Sequence, residues 1–162
     1  MNTRLLTYIA MFTAIGVVGA QFIWFPAGIA RAYPVQHAVN VIAAITLGPL
    51  PAVGIAFLIG LVRNLLGLGT LLAFPGGMFG ALLAGLLYKR FGKKAWAAAG
   101  EVIGTGLIGA WFAVPFAKVL MGTAFAAWFF IPPFLISSIT GAALGWLLLS
   151  RVKQEQLIKI NG

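Results

Sequence analysis

Residues 5–24 read LLTYIAMFTAIGVVGAQFIW, a stretch with no charged side chain, preceded by Arg4 and followed by Phe25-Pro26-Ala27-Gly28. A helix crosses a hydrocarbon core of about 30 Å with about 20 residues, so this run is long enough to span. A basic start and the small pair Gly19-Ala20 also suit a secretory signal. The rest of the chain is equally apolar, which favours the spanning reading. Of 162 residues, 62% are hydrophobic and 8% charged, and mean hydropathy is +1.05. A soluble domain carries about 25% charged residues. The fold class expected is an all-α membrane protein. With short turns the chain holds about six transmembrane helices in one bundle, a single membrane-embedded domain over residues 1–162.

Working outward from residues 5–24, Pro34 suits the start of a second helix over 35–47, after a polar connector at Arg31 to Pro34. Gly48-Pro49-Leu50-Pro51 forces a tight turn, and a third helix follows over 52–66. Residues 67–75 read as a loop containing apolar side chains. A fourth span covers 76–91, the basic turn Gly92-Lys93-Lys94 follows, and a fifth span covers 95–120. Gly122-Thr123 opens a connector, and the sixth span covers 133–149 ahead of a polar tail.

The net charge of +9, from 11 Lys and Arg against 2 acids, would suggest nucleic acid in a soluble chain, but there is too little polar sequence here to present a soluble basic face. It reports orientation instead. Arg4, Lys89, Arg90, Lys93, Lys94, Arg151, Lys153 and Lys159 all fall at one side of the six-span scheme, which the positive-inside rule makes cytoplasmic, with both termini there. Arg31 and Lys118 fall at the opposite face. Trp24 and Trp128 sit near the outer boundary and Trp96 near the inner one, whereas Trp111 and Trp146 fall within spans as lining or packing residues.

Small residues recur four apart at Ala10 and Ala14, at Gly76, Gly80 and Ala84, at Gly100 and Gly104, and at Ser137, Gly141 and Gly145. Such rows let helix backbones approach closely. The row on the first helix differs in kind, because that helix has almost no polar residue to face a cavity. Its Ala10 and Ala14 strip equally serves another subunit.

A polar side chain inside the membrane is costly unless it is paired or faces water, so each one marks a candidate site. Gln36, His37 and Asn40 share part of one face of the second helix, in the outer third. The third helix brings Arg63 and Asn64 to a similar depth, and the loops holding Tyr33 and residues 67–77 close over both sets. A polar pocket open to the outside is expected. Arg63 and Glu101 either pair with each other, which lowers the burial cost of both, or Glu101 points with Thr105 into the pocket floor. His37 reads equally well as a structural histidine and as a ligand-binding one.

Other chemistry has little material. With no Cys, disulfides and thiolate metal sites are excluded. No nucleotide-binding glycine loop with Lys and Ser or Thr is present, so any use of ATP belongs to a partner. No paired acids or Ser, His and acid set support catalysis, and no metal or cofactor is expected.

The helix-one stretch Ala10-Met-Phe-Thr-Ala14, the turn Leu47-Gly48-Pro49 and the polar outer cavity together resemble the substrate-binding S component of an energy-coupling factor (ECF) vitamin transporter. More narrowly, Tyr33-Pro-Val-Gln-His-Ala-Val-Asn40, Arg63-Asn-Leu-Leu-Gly-Leu-Gly-Thr-Leu-Leu-Ala-Phe-Pro-Gly76 and Gly100-Glu-Val-Ile-Gly-Thr-Gly106 resemble the ThiW family. That resemblance implies uptake of hydroxyethylthiazole, the thiazole precursor of thiamine, through a multi-pass protein of a bacterial or archaeal cell membrane. It also implies partners: a transmembrane T component and two cytosolic ATPases, with Ala10 and Ala14 at the docking surface. Gln36, His37 and Asn40 would bond the ring nitrogen and hydroxyl, with Tyr33 as wall or lid. Arg63 and Asn64 would add donors or hold the site together, and Glu101 with Thr105 would complete the base. The alternatives are an S component for thiamine or a pyrimidine, a self-associating pore protein, and a membrane enzyme using His37 and Glu101 as base and acid.

Overall fold

Prolines and glycines punctuate the chain where helices must start and stop. In a computed structural model describing residues 3–28, 30–120, 122 and 127–152, α1 runs over Thr3–Phe22, α2 over Pro34–Leu47, α3 over Pro49–Leu65 and α4 over Ala73–Phe91. Pro34 and Pro49 occupy first helical positions, where the missing N–H deprives the helix of nothing. Gly48 between α2 and α3 has φ +89°, and Gly92 closes α4 in the left-handed region, its N–H donating to the Tyr88 carbonyl. Beyond it, α5 (Lys94–Ile103), a π-helical segment (Gly104–Gly109) and α6 (Ala110–Leu120) run on as one rod, and α7 covers Ala127–Ser150. Among the described residues the helices therefore form six rods. Lys153, Lys159 and Thr123 lie outside the described residues.

Three rods are long and apolar enough to cross a membrane: Thr3–Phe22, Lys94–Leu120 and Trp128–Ser150. With the composition, they make this an all-α membrane protein apart from one small hairpin. The 14 residues of α2 span only about 21 Å at 1.5 Å per residue.

Four elements differ from the sequence expectation. Helix α3 starts at Pro49 instead of Ala52, so Pro49, Leu50 and Pro51 form its first turn, where prolines are tolerated, and Gly48 alone makes the turn. The connector before Pro34 is a two-stranded antiparallel hairpin, β1 (Phe25–Ala27) and β2 (Ala30–Ala32), with Phe25 opposite Ala32 and Pro26 opposite Arg31. Gly28 at φ +65° makes the turn, and the twofold alternation turns Ala27 and Ala32 inward. Helix α4 starts at Ala73 instead of Gly76, which shortens the preceding loop. Helix α7 starts at Ala127 and carries Pro132 and Pro133 inside it, where a start at Pro133 was expected.

Close packing rests on glycine. A Cβ on Gly100 would lie 2.6 Å from the Leu83 carbonyl oxygen, and one on Gly104 would collide with that of Phe79, so α5 and the π-helical segment touch the backbone of α4 directly. Gly141 brings α7 as close to α2, against the Pro34 carbonyl, and Gly145 lies somewhat less tightly against that of Ala38. At the far end of the same bundle the Lys94 ammonium donates to the carbonyls of Leu149 and Val152, tying the start of α5 to the end of α7.

Helix α1 is peripheral. It buries Gly16 and Ala20, with Gly16 against Ile59 and Gly19 against Val35. Ala10 and Ala14 are exposed, alongside Leu6, Met11, Ile15 and Val18. Trp111 and Trp146 neither line the cavity nor pack inside: they are 70% and 44% exposed and face outward. The π-helical segment explains Trp111. An uninterrupted α-helix continuing the inward face of Ala97, Glu101 and Gly104 would turn Trp111 inward. The wider turn delays that face, and Ala110, Ala113 and Ala117 are buried instead.

Gly100→Ala is expected to lower thermal stability in detergent by about 1–3 kcal/mol, because its Cβ meets backbone that cannot swing aside. Gly54, in α3 with nothing within 4 Å of an added Cβ, should accept alanine without loss. Equal melting temperatures for the two variants would contradict this account of the packing.

Candidate substrate-binding site

At the end of the bundle where α2, α4 and α7 begin, the hairpin and the loop 66–72 enclose a cavity of about 560 Å³. Its polar wall comes from Arg31 on the hairpin, Tyr33, Gln36 and His37 at the start of α2, Arg63 on α3, Thr105 and Ser137. Its apolar wall comes from Leu68, Leu72, Phe130, Pro133 and Phe134.

The outer tier is built around Arg63, only 2% exposed. Its Nη1 donates to Gln36 Oε1 at 2.6 Å and its Nη2 to the Leu68 carbonyl at 3.0 Å, and its guanidinium carbon lies 3.8 Å from the centre of the Tyr33 ring. Tyr33 is itself fixed, its backbone N–H donating to Ser137 Oγ on α7 at 2.8 Å. Asn64 closes the loop: its Nδ2 donates to the carbonyls of Gly60 (2.8 Å) and Thr70 (3.1 Å).

The inner tier is built around Glu101, with no exposed surface. One oxygen, Oε1, receives His37 Nδ1 at 2.7 Å, Asn40 Nδ2 at 3.1 Å and the Thr105 hydroxyl at 3.0 Å. Asn40 Nδ2 also reaches the Gly77 carbonyl at 3.2 Å. The Thr105 hydroxyl lies 3.0 Å from the Gly76 carbonyl as well and, having one hydrogen, donates to one acceptor at a time. Among the described residues Oε2 of Glu101 and Oδ1 of Asn40 have no partner. Held at Nδ1, His37 keeps its other ring nitrogen for the cavity it lines.

The sequence left open whether Arg63 and Glu101 pair. They do not: Glu101 bonds to His37, Asn40 and Thr105, and Arg63 bonds to neutral groups in the other tier. Of the residues singled out from sequence, Tyr33, Gln36, His37, Arg63 and Thr105 reach the cavity wall. Asn40 and Glu101 lie behind it, and Asn64 holds the loop instead of facing the cavity.

Sequence reasoning missed Phe130, Phe134 and Ser137, which line the wall together from α7. Their four- and three-residue spacing is the signal of one helical face, hidden by taking residues before Pro133 as connector. Arg31 had been placed at the outer face, without a role in the cavity, yet the hairpin delivers it to the wall.

Residues 6–155 match the family model described as thiamine-precursor transporter protein (ThiW). The chain belongs to the ThiW family. A search of curated proteins finds no match. As a ThiW protein it is a membrane transporter for a thiamine precursor.

In this ThiW chain the inner tier depends on a single acceptor oxygen. Glu101→Ala leaves the His37 nitrogen without its acceptor and should lower stability by about 3 kcal/mol or more. Glu101→Gln keeps an acceptor of the same shape and should lose clearly less. Thermal unfolding in detergent measures both, and equal losses would mean that the hydrogen bonds to Glu101 contribute little.

Proposed function

We infer that this chain is the substrate-binding S component of an ECF-type importer, taking hydroxyethylthiazole from outside the cell for uptake driven by partner ATPases. The observation that carries the reading is where the cavity lies. Arg4, Lys89, Arg90, Lys93, Lys94 and Arg151 fall at helix ends away from it, so the positive-inside rule puts the cavity at the outer face of a six-span bundle with cytoplasmic termini.

The wall suits a small heteroaromatic alcohol. A single polar cluster orients a ring against Phe130 and Phe134, within the usual size range of ligand pockets. Tyr33, Gln36, His37, Arg63 and Thr105 make contact, while Asn40, Asn64 and Glu101 hold them in place. Thiamine itself, a permanent cation, would meet two arginines and no exposed acid.

Ala10 and Ala14 lie exposed on α1 among apolar side chains, which supports α1 as the surface for the T component and its two ATPases. Bound nucleotide belongs to those partners.

None of the tryptophans lines the cavity, so binding is best read by calorimetry. Hydroxyethylthiazole should bind tightly and thiamine weakly. His37→Ala or Asn40→Ala should weaken thiazole binding at least tenfold in folded protein, and unchanged affinity would remove those residues from the site. Ala14→Trp should block co-purification of the ATPases while ligand binding persists. Retention of the complex would move the docking surface elsewhere.

A further inference from the structure

The chain has two acidic residues, Glu101 and Glu155, against eleven Lys and Arg. Glu101 lies behind the cavity wall with Oε1 occupied by His37, Asn40 and Thr105. Glu155 lies outside the described residues. No carboxylate among the described residues faces the cavity.

Two arginines do face it. Every contact made by Arg63 is to a neutral group: the Gln36 amide oxygen, the Leu68 carbonyl and the face of Tyr33. Arg31 lies over the Trp24 ring at 4.0 Å. These partners fix the orientation of each guanidinium without cancelling its charge. A cation at the depth of Arg63 is costly unless water or an anion reaches it. A guanidinium held by its neighbours with donors to spare suits a carboxylate or phosphate, which it binds through paired, charge-assisted hydrogen bonds.

We propose that the cavity takes its thiazole with an anionic substituent, a phosphate monoester or a carboxylate, bound by Arg63 and, nearer the rim, by Arg31. This rests on the reading of the cavity as the thiazole site. The ring lies against Phe130 and Phe134 near His37, and the substituent points to the arginines. The neutral alcohol is then the weaker ligand, because it leaves both positive charges unanswered.

Calorimetry on the full-length protein in detergent distinguishes the possibilities, with hydroxyethylthiazole, its phosphate monoester, a thiazole carboxylic acid and inorganic phosphate as separate ligands. The monoester or the carboxylate should bind at least tenfold tighter than the alcohol, and whichever binds tighter names the anion. Raising salt should weaken the anionic ligand more than the alcohol. Arg31→Gln, on the exposed hairpin where folding is least at risk, should shrink the preference several-fold, and Arg63→Gln should abolish it if thermal melting verifies a folded protein. An alcohol that binds as tightly as both anions, or tighter, overturns the proposal and leaves the thiazole reading standing. If no thiazole binds to folded protein, the thiazole reading fails and the proposal with it. Inorganic phosphate binding as tightly as the monoester overturns the proposal, since the ring would then contribute nothing.

Discussion

One carboxylate oxygen organises the interior. Oε1 of Glu101 receives His37 and Asn40 from α2 and Thr105 from the π-helical segment, and both Asn40 and Thr105 also reach carbonyls of α4. Three rods are thereby referred to one point in a region with little water to replace a lost bond. The glycines allow that convergence. A side chain on Gly80 would occupy the space that holds Thr105 Oγ1 and the Glu101 carboxylate. The polar cluster and the small-residue rows are thus parts of one arrangement: backbones approach closely so that short side chains can meet.

Polarity is divided by depth. The acidic group lies inward with its own donors, and the arginines lie outward with neutral acceptors and aromatic faces. Between the tiers sits α2, which gives Gln36 to one and His37 and Asn40 to the other. A direct Arg63–Glu101 pair would have satisfied both charges internally and left Arg31 as the one cation on the cavity wall among the described residues. Their separation gives the wall its positive character, and the stacking of Tyr33 on Arg63 holds that charge in place.

How much of this was legible in the sequence follows from which interactions are local. The helical rods are legible because hydropathy, Pro34, Pro49, Gly48 and Gly92 act within a few residues. The grouping of Gln36, His37 and Asn40 is legible from helical spacing alone. Depth was not. Whether Glu101 meets Arg63 or His37 depends on how far each helix is sunk relative to its neighbour, and the short α2 brings His37 down to the level of Glu101. The hairpin at 25–32 was obscured because its strands are only three residues each, too short for an alternating pattern to register. Phe130 was obscured because Pro132 and Pro133 carry the local signal of a helix start, and without it Phe134 is one apolar residue among many in its span.

The π-helical segment also sets a phase. Each residue of an α-helix advances the chain by about 100° around the axis, so a wide turn at Gly104–Gly109, which takes up an extra residue, sets α6 back from the register a regular helix would give it. The two halves of that rod are therefore keyed separately: α5 is set by glycine contact with α4, and α6 by the row Ala110, Ala113 and Ala117. Straightening the segment into regular α-helix, with no residue added or removed, would leave the composition and hydropathy of the span unchanged. It would nonetheless rotate α6 by about 100°, until Trp111 met the interior where alanine now fits. In this rod the angular register, which no hydropathy profile measures, decides which side chains meet lipid and which meet protein.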